Sequence, residues 1–117
     1  MEALGGDLVT TQRILDLAAV RARVALQNLA NQNTEGFKAY KFDFEQALRE
    51  AVETNGGAEE APSVAVERDT SGAPGVNNVD SFEELNALTK VRLLQDLFTR
   101  RAAGTFDQLR LAIRGGR

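Results

Sequence analysis

The chain of 117 residues has no cysteine, no histidine and no tryptophan, and it has only two prolines. Without cysteine and histidine it has no thiolate nucleophile, no zinc site of the usual kind and no imidazole relay. Aromatic residues make up 6% of the sequence against 43% hydrophobic residues in total, so the apolar content is mostly leucine, valine and alanine. These residues are typical of packed helices rather than of sandwich cores. The composition therefore argues against an enzyme, and we expect neither a metal nor a cofactor.

The sequence also lacks a strong net charge and a long apolar run. A net charge of −3 gives no reason to expect a nucleic-acid partner. The longest uncharged stretch, residues 24–34, is 11 residues long, which is too short to span a membrane. Residues 1–6 lack a basic start, and no apolar run with a small-residue cleavage site follows them. We therefore expect no cleavable secretory signal.

Charge is nevertheless distributed unevenly along the chain. Residues 43–69 contain eight acids and two arginines, whereas residues 100–117 contain five arginines and one acid. The acidic middle and the basic tail are suited to attract each other or a neighbouring molecule. Equally, they fit solvated surfaces with cations near a helix C-terminus.

The first part of the chain has the pattern of a long helix over residues 7–32. Neither glycine nor proline interrupts residues 7–31, and Asp7 is a suitable first-turn acid. Apolar and small residues recur at spacings of seven, three and four, which places them on one helix face. They are Leu8, Leu15, Ala18, Ala22, Ala25 and Leu29.

The last part of the chain has the pattern of a second long helix over residues 81–114. Ser81 and Glu84 match the S-x-x-E capping box, and Gly115 and Gly116 end the pattern. Eight apolar residues are predicted to share one face of this helix. They are Leu85, Leu88, Leu94, Phe98, Ala102, Phe106, Leu109 and Ile113.

The middle of the chain, residues 33–80, has weaker signals. Residues 31–36 are rich in asparagine and end in glycine, which is typical of a helix stop and a turn. Alternation in residues 37–44 predicts a short extended piece, and residues 44–52 fit one or two helical turns. Residues 54–75 contain both prolines and few large apolar residues, so we expect them to be mobile or ordered only by partners, apart from a brief strand at 64–66.

These elements predict a mainly α fold in which two long terminal helices pair as a coiled-coil-like unit, within a single domain of residues 1–117. A pair of helices leaves part of each apolar face uncovered, so helices of other chains are the natural cover. The alternative is a small helical bundle completed by the middle segment.

The end of the first helix resembles a known family. The flagellar rod and hook proteins of bacteria carry the motif A-N-x-x-T-P-G-[FY]-K after an N-terminal coiled-coil helix. Seven residues here match it or its flank: Asn28, Ala30, Asn31, Thr34, Gly36, Phe37 and Lys38. Glu35 stands where the family has proline, and a turn with Gly36 at a positive φ benefits from proline without requiring it.

Three other stretches resemble the short proximal-rod members of this family. Residues 43–49 are similar to a D-F-x-x-A-L-R continuation, and residues 77–80 to an N-N-V-D start of the last helix. Residues 104–113 are similar to the family's G-K-F-K-x-L-x-x-A-I ending. Larger hook and distal-rod members insert extra domains, for which 117 residues leave no room.

The resemblance implies a structural subunit of the basal-body rod, the periplasmic drive shaft that transmits torque. It implies export through the flagellar type III apparatus without a cleavable signal. The implied partners are copies of the chain, other rod subunits, the rod adaptor protein FliE, the MS-ring and the export gate. The alternatives are another short rod subunit, or a helical binding module or export chaperone.

Residues 44–48 fit the short F-x-x-x-Φ pattern that early flagellar export substrates present to the export gate. Phe44 and Leu48 would supply its two apolar positions. A carboxylate-based enzyme has little support, because acids such as Glu59 and Glu60 lie in the segment with the weakest structural signals, where nothing would hold them in place.

Overall fold

The computed structural model describes residues 2–54 and 65–115. These residues form α1 (Glu2–Ala30), β1 (Tyr40–Phe42), α2 (Phe44–Thr54), β2 (Val66–Arg68) and α3 (Ser81–Gly115), in that order. The two long terminal helices pack together, which confirms the predicted mainly α fold. None of the described helices is both long and apolar enough to cross a membrane.

The two long helices run antiparallel. Asn28, near the end of α1, bonds to Glu84 at the start of α3. Further along α3, Phe98 packs against a cluster that contains Ile14 of α1. The radius of gyration is 18.1 Å, against about 13 Å for a compact domain of this length. The chain is therefore elongated, 67 Å in its longest dimension.

The bounds of α1 differ from the predicted 7–32 at both ends. The helix begins at Glu2 and continues through the glycine pair at residues 5–6, since each glycine lowers helix stability by only about 1 kcal/mol and does not by itself end a helix. It ends at Ala30, where the Asn31 N–H donates to the Asn28 carbonyl at 3.1 Å. This tighter bond closes the last turn before the asparagine-rich segment.

The predicted capping box at the start of α3 is wrong. Asp80, not Ser81, caps the helix, since its Oδ1 accepts from the N–H groups of Phe82 at 3.1 Å and Glu83 at 3.2 Å. The Ser81 hydroxyl donates to the Gln32 side chain instead. Glu84 faces inward, because it has partners on α1 that a capping box would have denied it.

The middle segment is more ordered than predicted. β1 and β2 pair antiparallel, with Tyr40 opposite Arg68 and Phe42 opposite Val66. The expectation that residues 54–75 are mobile is therefore wrong for residues 65–75, and the brief strand lies at 66–68 rather than 64–66. Val64, Glu59 and Glu60 lie outside the described residues. Side-chain amides fix the second half of the segment, a role that hydrophobic patterns do not reveal.

The hydrophobic core lies where α2 crosses the first half of α1. Ile14 and Leu17 of α1 meet Ala47 and Ala51 of α2, all of them buried. Phe42, Phe44, Leu48 and Phe98 pack around this cluster and are partly buried. The two alanines let α2 approach α1 closely, so a helix of only 11 residues is held in place.

The buried face of α1 is rotated from the predicted face by roughly a fifth of a turn. Ala18 and Ala25 are buried as predicted, but Leu8, Leu15, Ala22 and Leu29 are only half-buried. Ile14, Leu17 and Val24 are buried in their place. The reason is that the true face also carries polar residues, so an apolar periodicity does not reveal it.

Candidate assembly surfaces

Asn28 is the centre of the turn motif. Its side chain is fully buried, and its amide bonds to both backbone groups of Tyr40. Nδ2 donates to the Tyr40 carbonyl at 2.8 Å, and Oδ1 accepts from the Tyr40 N–H at 2.8 Å. The amide thus bonds to Tyr40 as a neighbouring strand would, which ties the end of α1 to β1.

A polar cluster of Arg21, Asn28 and Glu84 joins α1 to α3. Asn28 Nδ2 donates to Glu84 Oε1 at 3.1 Å, and Arg21 Nη1 donates to Glu84 Oε2 at 3.3 Å. The side chains of Arg21 and Glu84 are 15% and 8% exposed. Because a displaced partner would leave the carboxylate buried and unpaired, this cluster fixes the register of the helix pair more than it adds net stability.

The turn after α1 is closed by side chains as well as by the backbone. Asn31 Nδ2 donates to the Gln27 carbonyl at 2.9 Å, and Asn31 Oδ1 accepts from the Thr34 hydroxyl at 3.1 Å. Phe37 N–H donates to the Thr34 carbonyl at 3.2 Å, with Gly36 at φ 73°. The turn therefore forms with Glu35 in place of the family's proline, because its required feature is the positive φ of glycine. Ala30, the last helical residue, is exposed.

Asn77 and Asn78 attach the segment before α3 to this turn. Asn77 Nδ2 donates to the carbonyls of Asn31 at 2.8 Å and Thr34 at 2.7 Å. Asn78 Oδ1 accepts from the Ala39 N–H at 2.6 Å. Among the described residues, every buried side-chain nitrogen and oxygen has a hydrogen-bond partner. The motif therefore holds three chain segments together at one end of the helix pair.

Arg68 was missed by the sequence reasoning. Its guanidinium carbon lies 3.8 Å from the ring centroid of Tyr40 and 5.0 Å from that of Phe37. These two rings meet edge to face with centroids 6.0 Å apart. Lys38 Nζ donates to the carbonyls of Ser71 at 3.1 Å and Ala73 at 2.9 Å. Arg68 lies opposite Tyr40 in the strand pair. The sequence alone did not predict that these two strands pair, so it gave no sign of this contact.

Asp69 is the residue that directly follows β2. Hydrogen bonds from the Ser71 side chain and backbone N–H lower the pKa of Asp69 below its ordinary value, and nearby Lys41 and Lys38 act in the same direction. The Ser71 N–H lies 3.0 Å from Asp69 Oδ1. The carboxylate thus turns the chain after β2.

The predicted packing face of α3 is occupied only in part within one chain. Leu88, Leu94, Phe98 and Ala102 are half-buried, and Val91, which the prediction omitted, is 2% exposed. Leu85 and Ile113 are 53% and 73% exposed, so neither packs inside the subunit. The side chains of Phe106 and Leu109 lie outside the described residues.

The opposite face of α3 carries a second apolar row, which we call the outer stripe. Its residues repeat near helical spacing, and each is more than half exposed. They are Phe82, Leu85, Leu93, Leu97 and Leu111. Between Phe82 and Leu97 the stripe runs about 22 Å along the helix. Thr89 interrupts the row between Leu85 and Leu93, and no large apolar residue lies on this face between Leu97 and Leu111. A row of exposed apolar side chains on one helix face is typical of a contact with another helix.

Beside the stripe lies an open groove of about 760 Å³ between α2 and the first half of α3. Phe42, Phe44, Leu48, Phe82 and Leu94 are its large apolar residues, and Phe82 is shared with the outer stripe. Four acids also line it: Asp43, Glu45, Asp80 and Glu83. Its two bases are Arg21 and Lys90, and Arg21 is already paired with Glu84. We call this feature the acidic groove.

Phe44 and Leu48, the candidate export-gate residues, lie on one face of α2. Both are half-buried against the core cluster and line the acidic groove. Phe44 also packs against Phe42 with ring centroids 6.2 Å apart. In the folded chain they are packing residues, so recognition by an export gate would require an unfolded chain.

The described residues show none of the groups of three or more acidic side chains that a metal ion would need. The candidate functional features described above are three surfaces: the turn motif, the outer stripe and the acidic groove.

Comparison with known proteins found one similar protein along the whole chain. No known protein family profile matches the chain. The chain is 26% identical to the flagellar basal body rod protein FlgB of Bacillus subtilis (strain 168) over 129 aligned residues, which cover 100% of both chains. The likeness therefore extends from the first helix to the last and is not confined to the turn motif.

Proposed function

We propose that this chain, which is similar along its whole length to a flagellar basal body rod protein FlgB, is a member of that family and a structural subunit of the proximal rod. In this proposal it has no catalytic activity. Its terminal helices pack against those of neighbouring subunits to build a tubular shaft that transmits torque.

The observation that carries the proposal is the outer stripe on an elongated helix pair. α3 packs on α1 with one face and leaves Leu85, Leu93 and Leu97 exposed on the other. A subunit that worked alone would gain nothing from such a row. Torque transmission needs many shared contacts, because individual apolar contacts are weak and add up only over long interfaces.

The turn motif supports the same function in another way. Asn28, Asn31, Thr34 and Asn77 join the α1 end to the start of α3 through hydrogen bonds inside one chain, and Gly36 at φ 73° turns the backbone between them. A subunit that carries load between neighbours needs its two helices in a fixed register. Ala30, Phe37 and Lys38, the remaining motif residues, lie at the same end.

The further parts of the proposal concern location and partners. The subunit works in the periplasmic rod and reaches it through the flagellar export gate without a cleavable signal. Its partners are copies of itself, other rod subunits, the adaptor FliE and the MS-ring. Phe44 and Leu48 serve the export gate before folding and the core afterwards.

Deletion of the gene tests the function directly. We expect loss of motility, and basal bodies without rods in electron micrographs, with both restored by the wild-type chain. Full motility with normal rods in the deletion strain would contradict the proposal. A chain that complements loss of the other short rod subunit, of the FlgC type, would place it there instead.

The acidic groove favours one alternative, a helical binding module or export chaperone. Such a protein would hold one partner in the groove as a soluble one-to-one complex. A rod subunit would instead form elongating assemblies with its partners. Light scattering of the purified chain mixed with other rod subunits separates the two outcomes.

A further inference from the structure

The acidic groove and the end of α3 are complementary in charge. Four acids line the groove, and once Arg21 is paired with Glu84 the remaining base there is Lys90. The last described turns of α3 carry Arg110 and Arg114. Arg110 lies 3.9 Å from Asp107 in an exposed pair, which is weak enough for Arg110 to exchange partners. The arginine-rich tail and the acidic middle noted in the sequence are therefore located at two separate places on the folded chain.

They are complementary in apolar surface as well. We call residues 110–114 the α3 tip. Its Leu111 and Ile113 are 67% and 73% exposed, although they are large apolar side chains. Since Asn28 lies opposite Glu84 in the antiparallel pair, the first residue of α1 lies level with the start of the tip. The groove presents Phe42, Phe44 and Leu94 to solvent, so each feature has apolar surface that the other could cover.

The tip cannot reach the groove of its own chain. Ala87 lines the groove, and Ala112 lies in the tip 25 residues later on the same helix. At 1.5 Å per residue, this separates them by about 38 Å. A contact between the two features therefore requires two molecules.

We propose that the α3 tip of one copy of this chain inserts into the acidic groove of the next copy. Leu111 or Ile113 covers the apolar surface, and Arg110 and Arg114 approach the acids at its edge. The groove volume of about 760 Å³ lies within the roughly 300–1,000 Å³ of sites that hold small ligands, which suits the side chains of one helical turn.

The contact joins two different surfaces, so it is head-to-tail and does not close on itself in a pair. Repetition generates an open helical assembly, and the outer stripe remains available for lateral contacts. The inference rests on the proposed function and deepens it, because it names which surfaces of neighbouring subunits meet.

Engineered cysteines test the contact, and the absence of natural cysteine makes the readout clean. Ala87→Cys and Ala112→Cys chains are purified separately, mixed and oxidised. A disulfide needs Cα atoms within about 7 Å, so a stable contact between tip and groove raises the yield of mixed dimer above that of random collisions. Ala103→Cys, an exposed α3 position outside the tip, replaces Ala112→Cys in the matched control.

We expect disulfide dimers from the mixture of Ala87→Cys with Ala112→Cys and few from the mixture with Ala103→Cys. A chain that carries both Ala87→Cys and Ala112→Cys should give a ladder of oligomers. Equal yields in both mixtures, or no dimers at the highest soluble concentration, overturn the inference. In cells, the doubly substituted chain is oxidised in assembled basal bodies. Rods that contain it without the crosslink would overturn the inference and leave the proposed function intact.

A charge exchange gives an independent test. Glu45→Lys in the groove and Arg110→Glu in the tip are each expected to lower the yield of the crosslink about two- to fivefold. The yield of the crosslink should recover when a chain with Ala87→Cys and Glu45→Lys is mixed with a chain that has Ala112→Cys and Arg110→Glu. Glu53→Lys, at an exposed site of α2 that does not line the groove, is the control. Failure of the exchanged pair to recover yield counts against the contact.

Discussion

At the end of the helix pair that carries the turn motif, polar side chains close the structure within one chain, whereas the far end of α3 presents apolar side chains to solvent. Asn28 is fully buried and makes three hydrogen bonds to Tyr40 and Glu84, while Ile113 is 73% exposed. The hydrogen bonds at the motif end are directional and fix one arrangement of the chain. The apolar surface at the far end of α3 is non-directional, and it contributes to stability only when a partner covers it. The comparison suggests a subunit with one self-sufficient end and one end that is completed by assembly.

The largest loss of stability is expected from a substitution at Asn28, at the motif end. Asn28→Ala leaves the Tyr40 backbone groups and one Glu84 oxygen buried without their partner, which costs about 3 kcal/mol or more. Urea unfolding measures the loss. Gln27→Ala, at the exposed neighbouring position, should stay within about 0.5 kcal/mol of the wild type. Equal stability of the two variants would show that the amide does not hold this end.

The two faces of α3 provide the next contrast. Val91→Ala removes buried methyl groups and should lower the free energy of unfolding by about 2 kcal/mol. Leu93→Ser, at a side chain 65% exposed, should change it by less than about 0.5 kcal/mol. In cells the order reverses if the outer stripe contacts neighbours, because Leu93→Ser then reduces rod assembly and motility. Normal motility with Leu93→Ser would remove the stripe from the interface.

Substitutions of two glycines are expected to change the stability of the chain in opposite directions. Gly36→Ala places a side chain at φ 73°, which costs about 1–2 kcal/mol, although a Cβ there would lie 3.6 Å from the Gly75 carbonyl oxygen in ordinary contact. Gly104→Ala, in the interior of α3 with open space around its Cβ, should stabilise the helix by about 0.5–1 kcal/mol. Thermal unfolding of both variants measures the difference. Stabilisation by Gly36→Ala would contradict the turn.

The smallest effect concerns Asp69. Because its pKa is lowered in the folded chain, Asp69 adds stability that is present above its ordinary pKa of 3.8 and is lost as pH falls through the lower folded value. Ser71→Ala removes the side-chain hydrogen bond, so the pKa of Asp69 should rise toward 3.8 in an NMR titration. An unchanged pKa would mean that the Ser71 hydroxyl does not act on this carboxylate.

The parts of the fold that follow apolar periodicity were predictable from the sequence. Both terminal helices and their pairing are of this kind. The exact face of α1 was not, because Arg21 and Asn28 are polar and yet point inward. The order of residues 65–75 was missed for a similar reason, since Asn78 fixes this segment through backbone groups far along the chain.

The packed face of α3 could not be predicted from the sequence for a different reason. Apolar residues occur on both faces, so periodicity alone does not say which face meets α1. Val91 is buried while Leu85, which was assigned to the packed face, is exposed. The motif residues were found through family resemblance, which located the turn but said nothing of Arg68 or Glu84.

Hydrogen exchange of the free chain and of assembled rods tests the central claim most directly. In the free chain we predict slow exchange of backbone amides at residues 17–40 and 77–91, and fast exchange at residues 104–115. In rods the amides of residues 104–115 should become protected, with little change at the motif end. Uniform protection of α3 in the free chain, or fast exchange of residues 104–115 in the rod, would contradict the account.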